Sequence, residues 1–166
     1  MARQLQSKVK VMLTVLFDSH GVVHHEYAPQ DQNINKEYYL EVLHHLRDVV
    51  RSKRLDMWAA GGWQLHYDNA PAHSLQLIQT FLAKHNIPVV QQAPYFPNMA
   101  PCNYWLFPHL KTQLKGTQFE SRDNITWNTM AKLYSIRKEA FQKCFEQWQN
   151  CWEKCVQSQG DYFEGD

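Results

Sequence analysis

Trp63-Gln64-Leu65-His66-Tyr67-Asp68-Asn69-Ala70-Pro71-Ala72-His73 is an alternating apolar stretch that runs into a carboxylate and then a proline. Such an order reads as a short strand, Trp63 to Tyr67, ending in Asp68, with a turn and a helix to follow. A second polar cluster, Pro101-Cys102-Asn103-Tyr104, closes a proline-rich loop that begins at Pro94. Carboxylates delivered by a strand end and a later proline-rich turn are how phosphoryl-transfer nucleases surround two divalent ions, and here the later position holds Asn103.

The elements around this stretch alternate between the two periodicities. Val11 to Phe17 and Val22 to Tyr27 predict a hairpin, with Asp18 and Gly21 bracketing the reversal, so Asp18 is read as a turn residue and not as a ligand. Asn35 is placed to cap a helix whose apolar face holds Tyr39, Val42, Leu43, Leu46, Val49 and Val50. Gly61-Gly62 interrupts the chain before the Asp68 strand. Leu75, Ile78, Phe81 and Leu82 mark a helix after Pro71, and Ile87 to Val90 a short strand. Asn103 is expected at the start of a short helix. Beyond it, Phe141, Cys144, Phe145, Trp148, Trp152, Cys155 and Val156 describe a long amphipathic helix that packs on the sheet. The plan is α/β, with no repeat or low-complexity tract, and residues 1–166 are read as a single domain.

Composition narrows the classes. Hydrophobic residues make up 44% of the 166, with six Trp, eight Tyr and eight Phe, which supports a packed core and argues against intrinsic disorder. A formal net charge of +1 gives no strongly basic surface for nucleic acid, and Arg47, Arg51, Lys53 and Arg54 are read as a solvated helix face. No apolar stretch approaches the roughly 20 residues a membrane-spanning helix needs, and no secretory signal pattern is seen, so a soluble intracellular protein is expected. Four cysteines, Cys102, Cys144, Cys151 and Cys155, do not suggest a disulfide framework. The last three fall at helical spacing and read as a core seam, not as a zinc site. His24 and His25 alternate along a strand, so at most one faces any given site.

Three segments in order, His66-Tyr67-Asp68-Asn69-Ala70-Pro71-Ala72-His73, then Ala93-Pro94-Tyr95-Phe96-Pro97-Asn98-Met99-Ala100-Pro101-Cys102-Asn103-Tyr104-Trp105-Leu106-Phe107, then Gly160-Asp161-Tyr162-Phe163-Glu164, resemble the mariner branch of the DDE transposases (Tc1/mariner superfamily). The resemblance runs from about Val9 to the last residue. It implies an RNase H-like mixed sheet flanked by helices, and three aspartates that hold two Mg²⁺ or Mn²⁺ ions for DNA cleavage and strand transfer. The second aspartate corresponds to Asp68 and the third to Asn103. The first is expected on a strand preceding Ser7, so the domain is expected to lack its first, central strand, and the amino-terminal helix-turn-helix region is expected to be absent. Asn98 and Phe96 also depart from the Asp and Ser common in the family. The resemblance further implies DNA, as transposon ends, for a partner, a possible homodimer, and a nuclear location.

Charge decides how much of that chemistry to expect. Mg²⁺ binds hard, charged oxygens in near-octahedral geometry, and an Asn carbonyl is a neutral donor. Losing one essential group of a cooperative catalytic unit costs a factor of about 10³ or more. A catalytically inactive descendant of a DNA transposase is therefore expected. A non-catalytic module for dimerisation or weak nonspecific DNA contact, and the product of a decayed transposon reading frame, are the alternatives. His73 is read as a helix-start residue, since hard Mg²⁺ prefers oxygen to imidazole.

Overall fold

The computed structural model describes residues 11–29, 35–61, 63–67, 76–91, 101–116, 119 and 121–157. Strands β1 (Leu13–Asp18) and β2 (Gly21–Tyr27) form the expected antiparallel hairpin. Asp18 makes the reversal: its Oδ1 accepts the His20 backbone N–H at 2.9 Å, and Gly21 follows with φ +126°, a conformation that a side chain disfavours. Thr14, Val15 and Leu16 pair with Glu26, His25 and His24, whereas Phe17 pairs with Val22. Val23 is thus an extra residue in β2, a β-bulge opposite Leu16.

The bulge lets both faces of the hairpin be apolar where they need to be. On one face Val15, Phe17 and Val22 pack with Leu106, Leu110 and Leu133. On the other, Val23 and Leu16 pack with Leu43, Leu46 and Val50 of helix α1 (Lys36–Lys53). Asn35 caps α1 as its sequence position predicted, its side chain accepting the Tyr38 N–H at 2.9 Å. The buried stripe is Tyr38, Val42, Leu43, Leu46 and Val50, with Tyr39 and Val49 partly buried beside it.

A six-residue helix, α2 (Leu55–Ala60), follows at once and ends on Gly61 in the left-handed conformation, φ 63°, whose N–H reaches back to Met57 and Trp58. Strand β3 (Leu65–Tyr67), helix α3 (Gln76–Lys84) and strand β4 (Val89–Gln91) come next, with β3 and β4 parallel in the register Leu65 to Val89. Ile78, Phe81 and Leu82 of α3, together with Leu65 and Ile87, join the α1 cluster. Among the described residues β1–β2 and β3–β4 are separate two-stranded sheets.

A π-helix (Cys102–Leu106) runs into α4 (Phe107–Leu114), followed by α5 (Arg122–Ser135) and α6 (Lys138–Gln157). The π-helix closes with the Phe107 N–H on the Cys102 carbonyl, five residues back. Cys144 is buried on α6 and Cys151 half-buried, and both are free thiols. No helix among the described residues is long and apolar enough to cross a membrane.

Candidate active site

Two described elements lead to the positions singled out in the sequence. Strand β3 ends at Tyr67, so Asp68 follows the carboxyl end of a parallel strand, where open α/β sheets place their ligands. The strand is fixed by the ladder with β4 and by the Leu65 N–H on the Pro88 carbonyl at 2.9 Å. The His66 ring meets Trp148 of α6 edge-on, with centroids 5.0 Å apart. Asp68 itself lies outside the described residues, as do His73, Phe96, Asn98 and the Gly160 to Glu164 segment.

The backbone of Asn103 lies in the π-helix, one residue past its first position. Three neighbours fix that short segment. Leu106 is fully buried among Val15, Leu110 and Leu133. Trp105 packs against Phe17 and Phe141, with centroids 6.0 and 5.1 Å away, and stacks on His109. The Tyr104 hydroxyl donates to the Cys144 backbone carbonyl of α6 at 2.8 Å, with the Cys144 Sγ 3.6 Å away. Burial and the side-chain contact with the Cys144 Sγ push the Tyr104 phenol well above its usual range, and burial also raises the Cys144 thiol. In the sequence Tyr104 stands within the motif with no role of its own. The signal was its position, one residue after Asn103, on a helix too short to hold itself in place.

The charged groups weighed in the sequence are occupied structurally. Asp18 is a turn residue, as read, and it also receives two hydrogen bonds from Arg54, Nε to Oδ2 at 2.8 Å and Nη2 to Oδ1 at 3.1 Å. This fork ties the hairpin turn to the α1–α2 junction and removes Arg54 from the supposed solvated helix face. The Lys53 ammonium donates to the Val23 carbonyl at 3.3 Å, and Arg47 and Arg51 lie over the Trp58 ring at 5.0 and 5.9 Å. The reading of these four as simply solvated is therefore incomplete, because aromatic and carbonyl partners within the chain hold their heads.

Sequence comparison gives the same direction. Residues 1–60 match the transposase family described as a partial DDE domain. The chain is 28% identical over 158 residues to the Mariner Mos1 transposase of Drosophila mauritiana, covering 93% of this chain and 45% of that protein. It is 26% identical over 155 residues to the human histone-lysine N-methyltransferase SETMAR, covering 93% of this chain and 23% of that one. The chain thus spans less than half the length of either relative. Among solved structures, the Mos1 transposase catalytic domain with raltegravir and Mg superposes with a TM-score of 0.84 at 28% identity, over 93% of this chain and 77% of that one. The Mos1 paired-end complex with Mn superposes at 0.86 and 28% identity, over 99% of this chain and 48% of that one. The architecture is accordingly RNase H-like, with small sheets and a predominance of helix.

Proposed function

We propose that the chain belongs to the mariner transposase lineage, as its catalytic-domain fold supports, and that it descends from a metal-dependent DNA cleavage and strand-transfer enzyme and no longer cuts DNA. One observation carries the reading: the π-helix anchored by Tyr104, Trp105 and Leu106 presents Asn103 where the family motif has an aspartate. The scaffold around that position is packed, while the donor it carries has lost its charge.

The donor set does not fit a two-metal centre. Asn103 supplies a neutral amide where the family motif has a carboxylate, so the set loses one charge against the four positive charges of two Mg²⁺ ions. An amide oxygen can occupy a coordination position, but it does not offset cation charge. No cleavage step is therefore derived through bound metal. Transposon-end DNA and a second copy of the chain are the partners such a descendant would keep, and the nucleus is where it would meet them.

Thermal unfolding with Mn²⁺ and nicking of supercoiled DNA test the reading together. The unsubstituted chain is expected to show no Asp68-dependent nicking and little Asp68-dependent rise of its unfolding midpoint with Mn²⁺. Asn103→Asp is expected to enlarge that rise, and adding Asp68→Ala to abolish it, because a ligand of the folded state alone raises the midpoint by mass action. Metal-dependent nicking by the unsubstituted chain that Asp68→Ala removes would refute the proposal.

A further inference from the structure

We propose that His24, Glu26 and His45 form a binding site for a divalent transition-metal ion, zinc in the first instance, independent of the Asp68 and Asn103 positions. The set arises from strand and helix geometry. His24 and Glu26 are two residues apart on β2, so their side chains share a face, and the bulge at Val23 puts that face toward α1. His45 comes from α1. The neighbouring His25 points the other way, to the Tyr134 hydroxyl at 2.8 Å, and is not part of the set.

The distances are those of a pre-formed ligand cluster. His24 Nε2 lies 3.0 Å from Glu26 Oε2 and His45 Nδ1 lies 2.9 Å from Glu26 Oε1, and one ligand atom from each residue falls within 4.8 Å of the other two. Ligand atoms of a tetrahedral zinc site, with metal bonds of about 2.0–2.2 Å, sit about 3.3–3.6 Å apart. Both histidine–carboxylate separations are shorter than that spacing and the three ligand atoms lie within 4.8 Å of one another, so the three side chains adjust together to admit an ion.

A second observation distinguishes this cluster from an ordinary ion pair. His24 Nε2 and Glu26 Oε2 are both closed to solvent, and despite their 3.0 Å separation they are not aligned as a hydrogen bond. Two buried heteroatoms left in that state carry a desolvation cost that a shared cation relieves. Two imidazoles, borderline donors, beside one hard carboxylate suit zinc over Mg²⁺, so this chemistry differs from the family's all-oxygen site. The His45 side chain is 45% exposed, which leaves room for a water or a small anionic ligand at a fourth position.

Titration of the metal-stripped full chain with Co²⁺ reads the coordination directly. The expected result is the visible absorption of four-coordinate Co²⁺, saturating at one ion per chain and displaced by Zn²⁺. His45→Ala and Glu26→Gln should each abolish it while the far-ultraviolet circular dichroism stays unchanged, whereas His20→Ala should leave it intact. Zn²⁺ should also raise the unfolding midpoint of the unsubstituted chain and not that of His45→Ala. Absence of the visible bands in the unsubstituted chain, or their survival in either ligand variant, overturns the proposal. Because Asn103 and Asp68 are untouched in these variants, failure here leaves the reading of the DNA-cleavage site standing.

Discussion

Leu106→Ala is the substitution whose effect follows most directly from the packing. Leu106 is fully buried at the end of the π-helix, in a cluster with Val15 of β1, Leu110 of α4 and Leu133 of α5. Truncation to alanine removes about three carbons, at ~0.8 kcal/mol of transfer free energy each. A cavity shared by three elements closes only partly, which brings the cost into the range of about 2.5–5 kcal/mol. For a chain of this length that corresponds to a fall in Tm of about 5–20 °C. Equilibrium urea unfolding, with Leu55→Ala as the comparison, gives the measurement. Leu55 is 67% exposed at the start of α2, and its truncation should change stability by about 0.5 kcal/mol or less. Near-equal midpoints for the two variants would refute the reasoning, because the π-helix would then not be held by its buried leucine.

Two further outcomes follow from the polar contacts. Arg54→Met removes both hydrogen bonds to Asp18 from a pair that is about four-fifths buried, and should destabilise by about 1.5–3 kcal/mol in the same unfolding assay, with the loss persisting at high salt. Tyr104 has its folded-state pKa raised, so its contribution to stability is complete below the unfolded value near 10 and is lost as pH climbs above it. Thermal melts from pH 8 to 11 should show a decline that Tyr104→Phe makes shallower, and ultraviolet titration should show a phenol that ionises only as the chain unfolds.

Much of the fold was legible because burial and periodicity coincide. In α1 and α3 the apolar positions fall three and four apart and most of them bury, as Phe141 and Cys144 do on α6, and Asn35 supplies the cap. Helix α5 was not read from the sequence because it lacks that coincidence. It buries only Thr129 and Leu133, while Trp127 is 78% exposed and Tyr134 54%. Its start was available in Ser121, whose hydroxyl accepts the Asn124 N–H, with Asp123 in the first turn. The six residues of α2 are too few to show a period. The π-helix was read only as a short helix, since a hydrogen bond five residues back leaves no distinct pattern in side-chain polarity. Of the candidate site, the motif positions were readable, but the contact between Tyr104 and Cys144 joins residues forty apart and appears only in three dimensions. The convergence of His24, Glu26 and His45 was hidden for the same reason, and because simple alternation does not disclose a bulge.

The bulge at Val23 also makes the hairpin sensitive to the position of an in-frame deletion. Removing codon 23 would erase the surplus residue and leave Phe17 facing Val22 and Leu16 facing His24, so the strand would lose an apolar contact with α1 and keep its phase. Removing codon 25 would instead advance Glu26 and Tyr27 by one place in a period of two, turning the carboxylate away from His45. Two deletions of equal size, two codons apart, would thus have opposite consequences: the first a shortened hairpin with its histidine and glutamate still facing the helix, the second a ladder in which those groups point to opposite sides of the sheet.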